Sequence, residues 1–515
     1  MQIRPLVYII GAGPGDPGLI TVRGLQCLRA ADVVLYDHLV SPRLLRHASV
    51  DAERIDVGGA SPQAMDQEAI CYLLAEKARE GRVVARLKWG DPFIFDRGAE
   101  EALFLHEHGV PFEVVPGIPA ALGVPSYAGV PLTYPGAGDT LTLVRGHEDA
   151  RQTAPNVDWT SLAQLDGTVV CYAGARQLAP ILRALLSHGR PSTEPAAVIF
   201  DGTLPRQHTI EGTLAQIADA IASTPPTATS ILVVGRAAAF RQRLRWFDAR
   251  PLFGRRILVT SPREDAAELT ELLTALGADA IEAPMLRFAP PDDYGPLDDA
   301  VSRIGSFAWI VFTTANAVEY FLARVTAGPG DLRALNGVGL CAVGPATEDR
   351  LRRYRLKPDL VPADGHPEAV AQALAATGSL RGRAVLVPRA DVGRELVAQE
   401  LRRVGAEVTD VTAYRTIVAE PEREGEPDIY RLLLDRRIDT VTFTSASAVR
   451  TFVRVIGDDQ AADLLQQTTV ACIGPVTAEA AAQLRIMTTI MPGEYTVSSL
   501  VEAIVHHFEG LALPA

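Results

Sequence analysis

The chain has 515 residues, of which 48% are apolar, 22% charged and 6% aromatic, and its net charge is −13. This length exceeds what one hydrophobic core organises, and the acidic balance argues against nucleic acid as the main partner, because phosphate binding needs a basic surface. No apolar run reaches the roughly 18 residues of a membrane span and no signal peptide opens the chain, so we expect a cytoplasmic protein with no membrane partner.

The cysteines and histidines give no sign of a disulfide framework or a metal site. The five cysteines are far apart and none forms a CxxC pair. No histidine has ligand spacing to acidic or thiol partners, so we expect buried, reduced thiols and no metal. Arginine far outnumbers lysine, and guanidinium groups are suited to bind an acidic substrate.

An α/β pattern begins at residue 6, where the apolar run LVYII breaks into GAGPGDPG and an amphipathic stretch follows. This order predicts a strand, a glycine-rich loop and a helix. The dinucleotide-binding fingerprint GxGxxG fails, because Asp16 stands where the third glycine belongs. Further strand-like runs alternate with helical patterns over about 240 residues, which predicts an α/β fold.

The sequence loses strand periodicity between residues 235 and 256 and gathers arginine, tryptophan and phenylalanine there. Such a stretch indicates a domain's last helix followed by a linker, which we place at residues 248–255. We therefore expect an N-terminal domain over residues 1–247 and a C-terminal domain over residues 256–515.

The C-terminal half repeats itself with a shift of about 130 residues, in three blocks that keep their order. The matched blocks are ILVTSPRE from Ile257 with VLVPRADV from Val385, VFTTANAV from Val311 with TFTSASAV from Thr442, and CAVGPAT from Cys341 with ACIGPVT from Ala471. Each copy alternates strand and helix patterns. The repeat therefore predicts a pair of doubly wound parallel sheets, with the loops at the carboxyl ends of the strands available for a ligand.

Motifs of the N-terminal half, over residues 6–247, resemble those of the uroporphyrinogen-III C-methyltransferases. They are GAGPGDPG from Gly11, VVLYDHLVS from Val33, GDPFIFDRGAEE from Gly90, FEVVPGIPAA from Phe112 and YAGVPLT from Tyr127. The resemblance implies a two-lobed tetrapyrrole methylase fold, a homodimer through this domain, and S-adenosylmethionine as cofactor. It also implies the transfer of two methyl groups to uroporphyrinogen III, which gives precorrin-2.

The same resemblance assigns site residues position by position. Asp37 would act as an acid or base, because the methylated macrocycle must lose a proton. The implied cofactor contacts are Pro14, Gly90, Asp91, Ile94, Ala120 and Gly202.

The departures of this half from the family pattern include four that bear on cofactor binding or catalysis. Trp89 stands in place of a glycine, Gly59 of a lysine, Pro119 of a threonine and Ala173 of a methionine. A glycine placed for close backbone approach leaves no room for an indole, so we expect weak cofactor binding. The alternative left open is a degenerate methylase domain that serves as a scaffold beside a working synthase.

The C-terminal half resembles the uroporphyrinogen-III synthases throughout. The matching motifs are VTSPRE from Val259, FTTANAV from Phe312, VGPAT from Val343, YRT from Tyr414, FTSASAV from Phe443, IGPVTA from Ile473 and EYTVSSLVEAI from Glu494. The resemblance implies one lobe from residues 256–287 and 418–515, a second from residues 291–413, and a two-stranded connector. It also implies closure of hydroxymethylbilane with inversion of ring D, without a cofactor.

Residue matching names Tyr414 as the side chain that protonates the departing hydroxyl group. The competing interpretation is a packed connector tyrosine, because a phenol with a pKa near 10 is a poor acid at neutral pH. Acetate and propionate groups of the substrate would be bound by hydroxyl groups on the strand-end loops and steered by nearby guanidinium groups. The hydroxyl candidates are Thr313, Thr347, Ser445 and Thr477, and the guanidinium candidates are Arg263, Arg389 and Arg415.

The sequence therefore predicts a fusion of two enzymes that act on small-molecule tetrapyrroles, in which the synthase makes the substrate of the methyltransferase. A second alternative belongs to another class of protein. It is a two-lobed ligand-binding sensor, because such folds also close two α/β lobes on a small molecule.

Overall fold

The structure, a computed structural model, describes residues 7–49, 51–58, 65–146, 157–174, 176–223, 230–328, 330–391, 396–418, 428–457 and 460–511, with the backbone alone at residues 263, 264, 418 and 511. Gly59, one of the four departures, lies outside these residues. Within them no helix is long and apolar enough to cross a membrane, and no group of three or more metal-ligating side chains is arranged to hold an ion. All five cysteines are buried and free, as predicted.

The N-terminal half alternates strands and helices. Its strands are β1 (Val7–Gly11), β2 (Val33–Tyr36), β3 (Glu53–Asp56), β4 (Val84–Lys88), β5 (Phe112–Val115), β6 (Leu141–Arg145), β7 (Thr168–Ala173), β8 (Pro195–Phe200), β9 (His208–Thr213) and β10 (Ser230–Val234). Its helices are α1 (Val22–Arg29), α2 (Pro42–Leu45), α3 (Gln67–Arg79), α4 (Gly98–Glu107), α5 (Ala120–Tyr127), α6 (Trp159–Gln164), α7 (Leu178–Ser187), α8 (Leu214–Ser223) and α9 (Arg241–Leu244). Short 3-10 helices lie at Pro17–Leu19 and Arg236–Phe240.

These strands form two sheets. We call the unit built around each sheet a lobe, the first with β1 to β5 and the second with β6 to β10. The sheet of the first lobe is parallel, in the order β3-β2-β4-β1-β5, and apolar side chains cover both of its faces. The sheet of the second lobe is mixed, in the order β6-β7-β10-β8-β9. Because parallel strands end at the same edge, the loops after β1, β2 and β4 meet there.

The C-terminal half follows the same alternation. Its strands are β11 (Arg256–Val259), β12 (Asp279–Glu282), β13 (Leu286–Ala289), β14 (Trp309–Phe312), β15 (Gly339–Ala342), β16 (Ala384–Ala390), β17 (Glu407–Val418), β18 (Thr440–Phe443) and β19 (Thr469–Cys472). Its helices are α10 (Arg263–Ala275), α11 (Gly295–Ser302), α12 (Ala315–Ala327), α13 (Pro345–Arg353), α14 (Pro367–Ala376), α15 (Leu396–Arg403), α16 (Ile429–Leu434), α17 (Ala446–Ile456), α18 (Ala461–Leu465), α19 (Pro475–Gln483) and α20 (Val497–Leu511). Short 3-10 helices lie at Ile304–Ser306 and Leu332–Leu335.

The two copies of the repeat exchange strands. One sheet, lobe A, has the order β12-β11-β18-β19, and the other, lobe B, has the order β13-β17-β16-β14-β15. Without β13, the order in lobe B is that of lobe A with each strand replaced by its repeat equivalent. The first strand of this half, β11, pairs in parallel with β18 from the last hundred residues, as the sequence predicted.

A two-stranded connector joins the lobes. Strand β13 pairs antiparallel with the end of β17, with Leu286 opposite Val418 and Ala289 opposite Arg415. The same β17 pairs in parallel with β16 along its earlier residues. One strand therefore belongs both to the sheet of lobe B and to the connector.

The segment predicted as a linker, residues 248–255, packs against both halves. Leu252 is fully buried in the core of lobe A, and its N–H donates to the Leu276 carbonyl at 3.0 Å. The Arg250 guanidinium lies 4.7 Å from the ring centroid of Trp246 in the N-terminal half. On the same side of the molecule, Arg46 binds Glu282 of the edge strand β12 at 2.5 Å.

We expect Leu252→Ala to lower the free energy of unfolding of the C-terminal half by about 2 to 5 kcal/mol, because it leaves a cavity in the lobe A core. Leu244→Ala is the matched control, since Leu244 is half exposed and should cost little. Calorimetric unfolding of the full chain measures both variants. Equal losses for the two variants would show that the segment contributes nothing to the core.

Candidate active sites

The first candidate site lies where β1, β2 and β4 end at one edge of the first lobe. Pro14 follows β1, Asp37 follows β2 and Gly90 follows β4. Two backbone hydrogen bonds of 2.8 and 3.2 Å between Gly13 and Gly90 join the loops after β1 and β4. Gly90 adopts a φ of +70°, which strongly favours glycine. The fold therefore brings these three predicted residues to a single edge.

Asp91 ties two loops of this site together. Its Oδ1 accepts a hydrogen bond from the Phe93 N–H at 2.9 Å, and its Oδ2 accepts one from the Gly117 N–H at 3.0 Å. Gly117 packs so closely on the backbone of Gly11 and Gly90 that a Cβ there would overlap them. The Asp91 carboxylate thus fixes the loop after β4 to the loop after β5.

The other three predicted cofactor residues come from separate segments. Ala120 begins α5, and its backbone nitrogen lies 3.6 Å from a Cβ built on Gly90. Gly202 follows β8 of the second lobe, and its carbonyl oxygen lies 3.2 Å from a Cβ built on Gly15. Ile94 lies on the loop after β4 and is partly exposed. The six predicted residues therefore surround the junction of the two lobes.

Trp89 faces the same junction. Its Nε1 donates a hydrogen bond to the Pro14 carbonyl at 2.9 Å, and its ring packs against a buried cluster that contains Ala120. Pro119 stands directly before α5 with extended backbone, and Ala173 is buried in the core of the second lobe. The indole is thus held beside two of the predicted cofactor residues.

A buried ionic network holds Asp37. The Asp37 Oδ1 accepts a hydrogen bond from Arg86 at 2.5 Å, and Arg86 is only 1% exposed. Arg86 and Lys88 both bind Glu101, at 3.2 and 2.9 Å, and Lys88 also binds Asp96 at 3.2 Å. Burial acts to raise the pKa of Glu101, but the two cations hold it below its ordinary value. Burial raises the pKa of Asp96, which lies near Asp37.

The second candidate site lies where the connector meets lobe B. Tyr414 on β17 is buried, and its hydroxyl lies 3.2 Å from the Thr314 hydroxyl. Its ring stacks on Tyr320 at a centroid distance of 5.4 Å and meets the edge of Phe288 at 5.3 Å. Burial raises the pKa of the Tyr414 phenol above its ordinary value. Two aromatic rings and one hydroxyl therefore fix this side chain.

The two lobes meet at Asp265 and Asn316. Asp265 lies in the first turn of α10 in lobe A, and its Oδ2 accepts a hydrogen bond from Asn316 Nδ2, on α12 of lobe B, at 3.4 Å. The surrounding protein raises the pKa of Asp265 by desolvation, while Asn316 and Arg350 act in the opposite direction.

A cavity of about 540 Å³ opens beside this contact, between α12 and α13. Glu319 on α12 accepts hydrogen bonds from Arg350 at 3.0 Å and from the Tyr354 hydroxyl at 2.7 Å. Arg353 also lines the cavity and is exposed. The wall therefore combines guanidinium groups with the aromatic face of Tyr320.

The predicted hydroxyl residues occupy equivalent places in the two lobes. Thr347 and Thr477 are buried in the first turns of α13 and α19. Ser445 caps α17 by accepting a backbone hydrogen bond at 3.2 Å. Thr313 directly follows β14 and is half-buried beside Thr314, which caps α12 in the same way as Ser445 caps α17. Their contacts with a substrate stay predictions.

Two of the predicted arginines bind carboxylates of lobe B. Arg389 binds Asp410 at 2.7 Å, and Arg415 binds Asp292 at 2.6 Å. Both guanidinium groups thus contact acidic side chains around the connector, and neither lines the cavity between α12 and α13. Arg263 begins α10, and its side chain lies outside the described residues.

Five residues of this site were missed from the sequence: Asp265, Thr314, Asn316, Arg350 and Arg353. The internal repeat held a signal for one of them, because it aligns Thr314, and not Thr313, with Ser445. The pairing of Asp265 with Asn316 joins segments of different lobes, so no local pattern contains it.

Two protein-family models match the chain, one in each half. Residues 6–218 match the tetrapyrrole (corrin/porphyrin) methylases, and residues 267–502 match uroporphyrinogen-III synthase HemD. Solved structures also match single halves. The uroporphyrin-III C-methyltransferase of Thermus thermophilus in complex with S-adenosyl homocysteine is 35% identical and covers 45% of this chain and 98% of its own, with a TM-score of 0.39.

Curated relatives extend over both halves. The porphyrin biosynthesis protein HemD of Ruminiclostridium josui is 32% identical over 501 residues, which cover 97% of each chain. The uroporphyrinogen-III C-methyltransferase of Bacillus subtilis is 40% identical over 332 residues, which cover 64% of this chain and 68% of that protein. The chain therefore belongs to the family of porphyrin biosynthesis proteins in which a tetrapyrrole methylase domain is joined to a uroporphyrinogen-III synthase domain.

Proposed function

We propose that the C-terminal half closes hydroxymethylbilane into uroporphyrinogen III and that the N-terminal half methylates this product with S-adenosylmethionine to give precorrin-2. The observation that carries the first step is the cavity between α12 and α13. It opens beside the Asp265–Asn316 contact between the lobes and is lined by two arginines. A cleft of this kind suits a flexible substrate with many carboxylates.

The synthase reaction asks the protein mainly to hold the linear substrate in one pose. Arg350 and Arg353 can bind acetate and propionate groups, and each charge-assisted hydrogen bond contributes about 1.5 to 3 kcal/mol. The hydroxyls of Thr313, Ser445 and the buried Thr347 and Thr477 would add neutral contacts at the strand-end loops. Arg389, Arg415 and Arg263 would act more remotely, by steering the polyanion toward the cleft.

The methylase site has the parts that an S-adenosyl cofactor needs. Pro14, Gly90, Ala120 and Gly202 supply close backbone approach at the lobe junction, and Ile94 supplies exposed apolar surface. Asp91 would hold the loops that flank the cofactor. The bound cofactor would supply an electrophilic methyl group. Asp37 would take the proton that the methylated macrocycle releases, with Arg86 stabilising its carboxylate form.

The homodimer through residues 1–247 stays a prediction that sedimentation of the full chain can test. The scaffold alternative for this half has one observation in its favour. The Trp89 indole lies against Pro14 and Ala120, where the family pattern has only a glycine hydrogen.

We expect the full chain, given hydroxymethylbilane alone, to form the type III isomer. Hydroxymethylbilane closes spontaneously to the symmetric type I ring, so the isomer distinguishes enzymatic from spontaneous closure. Chromatography of the oxidised products measures the ratio. Type I alone, at the rate of a protein-free control, would contradict the synthase and leave the ligand-binding sensor as the better hypothesis.

We expect Arg353→Gln to raise the KM for hydroxymethylbilane on the order of 10-fold with little change in kcat, because it removes one charge-assisted contact made equally before and during the reaction. Arg352→Gln is the matched control. Arg352 is the neighbouring residue on α13, does not line the cavity, and binds Glu348 at 2.6 Å. The same KM for both variants would exclude this wall of the cavity as the carboxylate site.

We expect the wild-type chain to bind S-adenosylhomocysteine weakly, and the double variant Trp89→Gly with Pro119→Thr to bind it at least about 10-fold more tightly, because an indole buries upward of 150 Å² beside the predicted contacts. Titration calorimetry measures both affinities. Trp246→Gly serves as the control for loss of an indole, since Trp246 is about half exposed on another surface. Tight binding by the wild type would show instead that the indole forms part of the cofactor site.

A further inference from the structure

The contacts of Tyr414 do not mark it as the acid that protonates the leaving hydroxyl group of the linear substrate. Burial raises the pKa of its phenol, whose ordinary value of about 10 already makes it a poor donor at neutral pH. Its hydroxyl forms a hydrogen bond with the Thr314 hydroxyl at 3.2 Å, and its ring packs against Tyr320 and Phe288. These contacts hold the side chain in place, and burial raises its pKa although the hydrogen bond with Thr314 acts in the opposite direction.

Asp265 is the carboxyl group that enters the same cleft from the opposite lobe. It lies in the first turn of α10, directly after β11, and its side chain opens to the solvent of the cleft. Its Oδ2 is 3.4 Å from Asn316 Nδ2, and Asn316 lines the cavity between α12 and α13. Within the described residues, the hydrogen bond from Asn316 to Oδ2 is the one found on this carboxyl group.

Titratable side chains on three neighbouring elements, α12, α13 and β17, surround Asp265. Arg350 on α13 favours the carboxylate, but Arg350 is itself bound to Glu319 on α12 at 3.0 Å. Tyr414 on β17 is close enough for the Asp265 charge to raise its pKa. On α10 itself, the side chains of residues 263 and 264 lie outside the described residues. Desolvation by the cleft is the largest influence and raises the pKa of Asp265.

We propose that Asp265 is the general acid of the synthase reaction, and that Tyr414 and Thr314 position the leaving hydroxyl beside it. The inference rests on the proposed synthase function. A carboxyl group is a stronger acid than the buried phenol, and Asp265 contacts Asn316 at the edge of the cavity, beside a substrate bound on lobe B. Asn316 orients the carboxyl through its Nδ2, so that one oxygen is left to carry the proton.

The step balances without any other reactant. The Asp265 O–H proton goes to the hydroxyl oxygen of the substrate, the C–O bond breaks with its electron pair on that oxygen, and water leaves. The pyrrole nitrogen lone pair forms the new double bond of an azafulvene cation, which the Asp265 carboxylate then faces. After the terminal ring attacks and rearranges, the last ring carbon loses a proton, and the carboxylate takes it back.

The pH dependence of kcat/KM follows from the protonation state of Asp265 that the proposed step requires. The reaction needs Asp265 protonated, so kcat/KM falls as pH rises through its pKa, and the upward displacement of that pKa extends activity toward neutral pH. Because Asn316 donates to the carboxylate oxygen, Asn316→Ala should raise this pKa and move the alkaline limb of the profile to higher pH.

The test uses type III product formation by the full chain across a pH series. We expect Asp265→Asn to lower kcat/KM by roughly 10²- to 10⁴-fold and to remove the alkaline limb, whereas Asp265→Glu keeps a limb and part of the activity. Tyr414→Phe should lose less than about 10-fold and keep the wild-type limb. Asp463→Asn, on the exposed face of α18, is the control for an Asp-to-Asn change in lobe A.

Two results would overturn the assignment. One is an Asp265→Asn chain that works within about threefold of wild type. The other is a Tyr414→Phe chain that has lost the alkaline limb. Failure of the synthase function itself is visible separately, because the wild-type chain would then give no type III isomer at any pH.

Discussion

The antiparallel pairing of β13 with the end of β17 is the constraint on which the C-terminal half depends. It crosses between the lobes once in each direction, with Leu286 opposite Val418 and Ala289 opposite Arg415. Phe288 of this ladder meets the ring of Tyr414 at 5.3 Å, and Tyr414 lies one residue before the ladder on β17, opposite Ala390 of β16. A connector of two strands can bend but cannot slide, since a slip of one residue would turn Tyr414 to the other face. The register of the connector therefore fixes Phe288 and Tyr414 in the aromatic wall of the cleft.

The exchange of strands between the repeat copies explains why the two lobes have equivalent strand orders and why each lobe contains strands of both copies. Strand β11 begins the half and β18 nearly ends it, but they are neighbours in one sheet. Lobe A therefore cannot be built from a continuous stretch of chain, whereas the strands of lobe B all lie within residues 286–418. Leu252 extends this interdependence to the segment before β11, because it completes the lobe A core. Arg46 and Glu282 also join the methylase half to the free edge of the same sheet.

Much of this organisation was readable from the sequence. The repeated blocks predicted both sheets, because apolar strands and strand-end loops are local patterns, and the resemblance to the synthases implied the pairing of β11 with the chain's last part. The sequence was less decisive where two adjacent residues could fill the same role. Thr313 and Thr314 are chemically alike, and only the cap on α12 and the contact with Tyr414 distinguish them. The partners of Arg389 and Arg415 were not predictable either, since Asp410 and Asp292 are distant in sequence.

The fusion links two sites whose chemistry is sequential: one makes a macrocycle that carries eight carboxylates, and the other places methyl groups on its carbon framework. The most direct measurement of this claim is a coupled assay of the full chain with hydroxymethylbilane, with and without S-adenosylmethionine labelled in its methyl group. The account predicts type III macrocycle in both arms and labelled dimethylated product only when the cofactor is present. Type III product that never acquires label would contradict it and mark the N-terminal half as a scaffold.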